Sequence, residues 1–108
     1  MSNVHADKIE RWKGFVAREP DNPLHNFALA QAYLAAGDFA EGERAFARCL
    51  ELNPEWMVAA IKRGRCLVAL ERWDEARAAL ELGAELATRQ GHEEPFAEIR
   101  ELMDQLPD

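Results

Sequence analysis

The chain has 108 residues, enough for one domain and not for two, and its 48% hydrophobic and 31% charged side chains are a globular balance rather than a disordered one. Twenty acidic side chains against 13 basic ones leave a net charge of −7, which repels phosphate backbones and anionic lipid and argues against nucleic-acid and membrane partners. The N-terminal stretch Met1 to Lys8 has no basic segment followed by an apolar run, no window reaches the length of a membrane span, and Cys49 and Cys66 match no zinc or redox spacing. A cytoplasmic protein with reduced thiols is the expectation.

The first helix is expected from about Asn3 to Arg18, with Trp12, Phe15 and Val16 facing inward at helical spacing. Pro20-Asp21-Asn22-Pro23 ends it. Asn22 then caps a second helix that has Pro23 at its favoured first position. That helix stops at Ala36, where Gly37 can take the left-handed C-terminal conformation. Asp38 caps a third helix over Phe39–Leu52, closed by Asn53-Pro54, since a proline inside a helix costs roughly 3 kcal/mol. A fourth helix covers about Glu55 to Leu70 and a fifth about Trp73 to Arg89, before Gln90-Gly91-His92 breaks the chain. The last segment, Glu93 to Leu106, is amphipathic. Phe96, Ile99, Leu102, Met103 and Leu106 share one face, and the acidic start at Glu93-Glu94-Pro95 suits a helix N-terminus.

Sliding the sequence against itself by 34 residues aligns large with large and small with small. Trp12 meets Phe46 and then Leu80; Phe15 meets Cys49 and then Gly83; Ala30 meets Gly64, Tyr33 meets Leu67, and Phe39 meets Trp73. Two antiparallel helices per unit, stacked on the next pair, produce such a pattern, because bulky residues fill the space between helices and small ones let backbones approach. Leu29-Ala30, Tyr33, Phe46 and Pro54, with Gly64, Ala76 and Leu80 in the next unit, resemble the tetratricopeptide repeat family in its small bacterial-type form. The resemblance implies an all-α solenoid of about six helices in a single domain over 1–108. Residues 3–20 form a partial repeat helix, 23–56 repeat one, 57–90 repeat two and 93–106 a capping helix. The chain departs from the family at Asn26 and Ala60, where Trp is preferred, at Arg63 in place of Leu and at Gly42 in place of Ala. Thr88 replaces the closing proline, so the fifth helix can run on to about Arg89 or Gln90.

In this family the first helix of each pair lines the hollow side of a curved stack. The resemblance therefore implies a groove lined by Leu24, Phe27, Gln31 and Leu34 from one unit and by Val58, Ile61, Lys62, Arg65 and Val68 from the next. The helical spacing of these residues places each set on one face. The competing reading is that a terminal helix folds over this face and buries it. Family members that clamp acidic tails use Lys and Asn where this chain has Phe27 and Gln31, so the full clamp is absent; Lys62 and Arg65 could still contact a carboxylate, against the plainer reading of a solvated face with ion pairs.

Other chemistry finds little support. The three tryptophans read as repeat core before ligand site, with Trp56 the most exposed of them, and the cysteines sit where the repeat wants small residues. His5, His25 and His92 have no second ligand at metal spacing, and there is no phosphate loop or nucleophile elbow, so no catalytic residue, metal or cofactor is expected. The expected function is a protein-protein interaction module that binds a peptide or helix of a partner whose identity the sequence does not give. The alternative is a self-assembling structural or accessory subunit, a weak homo-oligomer pairing through exposed helix faces.

Overall fold

Six α-helices, and no strand, make up the described part of the computed structural model, which covers residues 3–108. They are α1 (Val4–Arg18), α2 (Pro23–Ala36), α3 (Phe39–Leu52), α4 (Met57–Ala69), α5 (Trp73–Gln90) and α6 (Pro95–Asp104). Of the domain expected over 1–108, residues 1 and 2 lie outside the described residues. Each helix packs chiefly on its neighbours in sequence, and α4 also meets α6, so the array is a stack 40 × 28 × 22 Å in extent.

The turns form where the chain supplies caps. Asn22 Oδ1 accepts the His25 N–H at 3.1 Å with Pro23 in the first turn, and Asp38 Oδ1 accepts the Glu41 N–H. Gly37 and Gly91 end α2 and α5 at φ 77° and 74°. Glu71, 34 residues after Gly37, takes the same left-handed conformation at φ 57° without being glycine, a strain of roughly 1–2 kcal/mol that the packing of α4 on α5 sustains. α4 begins at Met57 rather than Glu55. The Trp56 N–H bonds back to the Asn53 carbonyl and the Glu55 N–H to the Asn53 side chain, so Pro54-Glu55 belongs to the turn. α6 is shorter at both ends than the expected 93–106, starting at Pro95 and ending at Asp104. α5 does run through Thr88 to Gln90, whose Nε2 donates to the Glu55 carbonyl at 2.8 Å and ties the two ends of the second repeat together.

Two clusters form the core. Phe46, Cys49, Ala30, Ala59 and Cys66 join α2, α3 and α4, while Ile61, Leu67, Val68, Leu80, Ile99, Leu102 and Leu106 join α4, α5 and α6. The small positions of the repeat act as its spacing predicts. A methyl group on Gly64 would lie 2.6 Å from Leu80 Cδ2, and one on Gly83 would lie 2.7 Å from Ile61 Cγ1, so α4 and α5 are in backbone-close contact. α1 departs from expectation. Trp12 and Phe15 do pack on α2, against the His25 ring, and Val16 is half-buried, but no residue of α1 is fully buried, and Trp73 is likewise only half-buried despite its core position in the repeat.

Candidate peptide-binding face

The residues expected to line the hollow divide into three groups. Leu24 and Val58 stand at equivalent positions of successive repeats and are two of the most exposed large hydrophobic side chains, at 73% and 37%. Between their helices Phe27 is half-buried, stacked on Trp56 with ring centroids 4.9 Å apart and edge-on to Phe46 at 5.8 Å. Gln31 is exposed and Leu34 half-buried. This first group is a surface on which an apolar side chain of a ligand could be desolvated.

Ile61 and Val68 form the second group and correct the expectation of an open lining. They are 3% and 6% exposed and belong to the core cluster with Ile99, Leu102 and Leu106. Helical spacing put them on the face of α4 expected to line a hollow, but α6 lies across that face. The competing reading, that a terminal helix buries part of the groove, holds for this half of it. What remains open beside α6 is a cleft of ≈250 Å³ lined by Met57, Val58, Lys62, Glu94, Pro95 and Glu98, with the edge of Ile61 at its base.

Lys62 and Arg65 form the third group. Both turn to one carboxylate on α6: Arg65 donates to Glu98 through Nη2 at 2.7 Å and Nε at 3.3 Å, and Lys62 Nζ lies 3.6 Å away. Burial raises the pKa of Glu98, but the hydrogen bond from Arg65 and the nearby ammonium of Lys62 outweigh that, and its carboxyl stays below the ordinary range. These are ion pairs between helices rather than within one, and they fasten α6 to α4. A ligand carboxylate would have to displace Glu98 to reach either cation. The third member of the basic run, Arg63, faces away and binds Glu43, which is 8% exposed and is also approached by Arg72 at 3.5 Å.

Several departures from the repeat pattern find structural reasons. Asn26 is 4% exposed and its Nδ2 donates to the Pro20 carbonyl at 3.0 Å and the Asn22 carbonyl at 2.8 Å, closing the turn before α2 in place of an aromatic ring. Burial pushes the Cys49 and Cys66 thiols up to about 11, and both are free and enclosed, so they behave as small hydrophobes. Among the described residues no cluster of three His, Cys, Asp or Glu side chains is arranged for a metal ion, and no helix is long and apolar enough to cross a membrane.

The family described as "Anaphase-promoting complex, cyclosome, subunit 3" matches residues 5–82, well over half of the chain. No curated protein matches the chain. Among solved structures, the TPR2B-domain:pHsp70-complex of yeast Sti1 is similar with a TM-score of 0.85 at 16% identity, covering 94% of this chain and 82% of that one. The first TPR of Spaghetti (RPAP3) bound to HSP90 peptide SRMEEVD is similar with a TM-score of 0.79 at 25% identity, covering 94% and 79%.

Proposed function

Because the chain belongs to the family described as anaphase-promoting complex, cyclosome, subunit 3, a family of tetratricopeptide-type helical repeats, we propose that it is a protein-interaction module that holds a short segment of another protein on its hollow face. The observation that carries this reading is the pair of exposed apolar side chains, Leu24 and Val58, repeated at the same position of α2 and α4, the two helices whose Phe27 and preceding Trp56 stack on each other. Aliphatic side chains held in water at equivalent places of two repeats are a cost without a covering partner, and a covered one contributes to binding. Both similar solved structures named above hold a peptide or protein partner, which supports a partner-holding use of this fold.

In this reading Leu24, Phe27 and Val58 anchor the partner and Gln31 orients its backbone, since a few apolar contacts near the centre of an interface carry most of its energy. Lys62 and Arg65 act indirectly, by holding Glu98 and hence the wall that α6 makes beside Val58. Two repeats offer less than a standard interface, so the affinity is expected to be no better than about micromolar. No catalytic role is proposed for any side chain, and a cytoplasmic setting remains part of the proposal.

The test is affinity capture from native cell extract with the wild-type chain, the double variant Leu24→Asp/Val58→Asp and the outer-face variant Glu85→Ala. Both substituted aliphatic residues are exposed, so the double variant should fold. A partner retained by wild type and Glu85→Ala but lost by the double variant is expected. A partner equally retained by the double variant would move the binding surface off this face. Capture only of the chain itself would favour the self-assembling alternative.

A further inference from the structure

Among the described residues two helices of the stack are unpaired. α1 stands as the second helix of a pair with no first helix against it, and α6 as a first helix with no second against it. In both complete pairs one stripe of the second helix takes the first. Along α3 it runs through Gly42, Ala45, Cys49 and Leu52, and along α5 through Ala76, Ala79, Gly83 and Leu86, small or apolar and at least half-buried throughout. A methyl on Gly42 would lie 3.6 Å from the Leu34 backbone nitrogen of α2, and one on Gly83 would lie 2.7 Å from Ile61 Cγ1 of α4, so the first helix of each pair lies directly on this stripe. On α1 the same repeat positions hold Lys8, Arg11, Phe15 and Arg18. They border an open groove of ≈660 Å³ whose other wall is α2, with Ala28, Ala32 and Ala35 among its lining.

The stripes of the two unpaired helices carry opposite charge. Lys8, Arg11 and Arg18 are exposed, and the α1 stripe holds no carboxylate. α6 buries Ile99 and Leu102 and turns the opposite stripe outward: Glu94, Ala97, Glu101 and Asp104, all exposed and with no cation among them. None of these six charged side chains is held in an ion pair among the described residues, so all are available to a partner. Solvation accounts for polar end helices but not for a single sign on each. The spacing matches too. Gly64 meets Leu80 and Gly83 meets Ile61, so paired helices of this stack run antiparallel. In that sense Lys8 falls opposite Asp104, Arg11 opposite Glu101, Phe15 opposite Ala97 and Arg18 opposite Glu94, because steps of three, four and three residues along α1 meet the same steps reversed along α6.

We propose that this chain assembles head to tail, the outward stripe of α6 in one copy docking antiparallel on the stripe of α1 in the next. Lys8, Arg11 and Arg18 of one copy then meet Asp104, Glu101 and Glu94 of the other over roughly 15 Å of helix, with the Phe15 ring on the small Ala97. The alanines on the α2 wall leave room for the incoming helix beside α1. Pairing about a two-fold axis, α1 on α1 or α6 on α6, would instead set like charges together. A head-to-tail contact leaves one stripe free at each end, so it continues into an open stack or closes as a ring. Leu24 and Val58 take no part in it, which keeps this contact separate from the partner-holding reading.

The test is sedimentation velocity of the full chain from micromolar to millimolar concentration, at low and high salt. Exposed ion pairs are weak and screened, so wild type should be monomeric when dilute, grow continuously past the dimer as concentration rises, and grow less in salt. Lys8→Glu/Arg11→Glu and Glu101→Lys/Asp104→Lys should each stay monomeric where wild type grows, and an equimolar mixture of the two should grow again. The variant with all four substitutions should recover growth by itself, which a loss of folding could not imitate. Leu24→Asp/Val58→Asp should grow as wild type does. Wild type that stays monomeric at millimolar concentration, or growth that stops at a dimer, would overturn the contact. A folded four-site variant that stays monomeric would overturn it too. So would growth lost in Leu24→Asp/Val58→Asp but kept in the charge variants, which would move self-association to the hollow face.

Discussion

Replacing Gly64 by alanine adds one methyl group to the closest approach between α4 and α5, and the outcome turns on two opposed terms. In isolation the change favours the helix, because alanine exceeds glycine in helix propensity by about 1 kcal/mol. Against this, the new methyl would stand 2.6 Å from Leu80 Cδ2 and 2.9 Å from its Cγ, well inside contact distance. Leu80 is fully buried in the cluster of Ile61, Leu67, Val68 and Ala79, so it has no free volume to retreat into, and α5 must move outward. With Leu80 unable to yield, the cost falls in the upper part of the roughly 1–3 kcal/mol range for overpacking, about 2–3 kcal/mol, which leaves a net loss of about 1–2 kcal/mol after the propensity gain of about 1 kcal/mol. For a domain of this size that is a fall of roughly 4–8 °C in melting temperature. The same substitution at Gly14 provides the control. A methyl there would meet only the end of the Arg18 side chain at 3.8 Å, so Gly14→Ala should raise stability by about 0.5–1 kcal/mol. Thermal and urea unfolding of both variants decides the matter. Gly64→Ala melting at or above the wild-type temperature would show that α4 and α5 are not in close contact and that the repeat has been aligned wrongly.

Two further outcomes are expected. Glu98→Gln should destabilise by about 0.5–1 kcal/mol at neutral pH, a modest figure because Glu98 and Arg65 are 30% and 40% exposed. The folded carboxyl titrates below its ordinary 4.5, so its contribution is fully present above that value and lost as the pH falls through the folded pKa; urea midpoints of wild type and variant should converge in acid, and a gap that does not narrow with falling pH would refute the pairing. Cys49 and Cys66, with thiols raised to about 11, should resist iodoacetamide at pH 7 and label only when the chain unfolds, and rapid labelling of the native protein would contradict their burial.

The register of the helices was readable because the repeat constrains pairs of residues rather than single ones. Phe46 with Leu80, and Ala30 with Gly64, are aligned by the 34-residue displacement and all four prove buried, since a stack offers each equivalent position the same surroundings. Prediction failed where the surroundings are not equivalent. Trp12 shares its repeat position with Phe46, yet it is half-buried, because among the described residues α1 packs chiefly on α2 alone whereas α3 packs between α2 and α4. Ile61 and Val68 share positions with the more open Phe27 and Leu34, but α6 covers α4 and nothing comparable covers α2. A pattern of period 34 cannot report such end effects. The one available signal for Arg65 was Glu98, which lies 33 residues later at the start of an amphipathic segment. Asn26 was legible only as a missing aromatic ring, although Pro20 and Pro23 just before it already marked a turn with carbonyls in need of a donor.

The order of contacts along the stack, each helix on its neighbours with α4 reaching α6, bears on how the protein could read a longer partner. The α1–α2 groove, which α6 of a second copy fills in the proposed assembly, and the cleft beside Val58 share no lining residue on a body 40 Å long. Sites that share no contacts contribute to binding additively. A partner chain long enough to reach the Val58 clefts of two joined copies would, once held at the first, have a raised effective concentration at the second. Two individually weak grips would then multiply into one firm one, and the spacing between the two recognised sequences, more than either sequence alone, would select the partner.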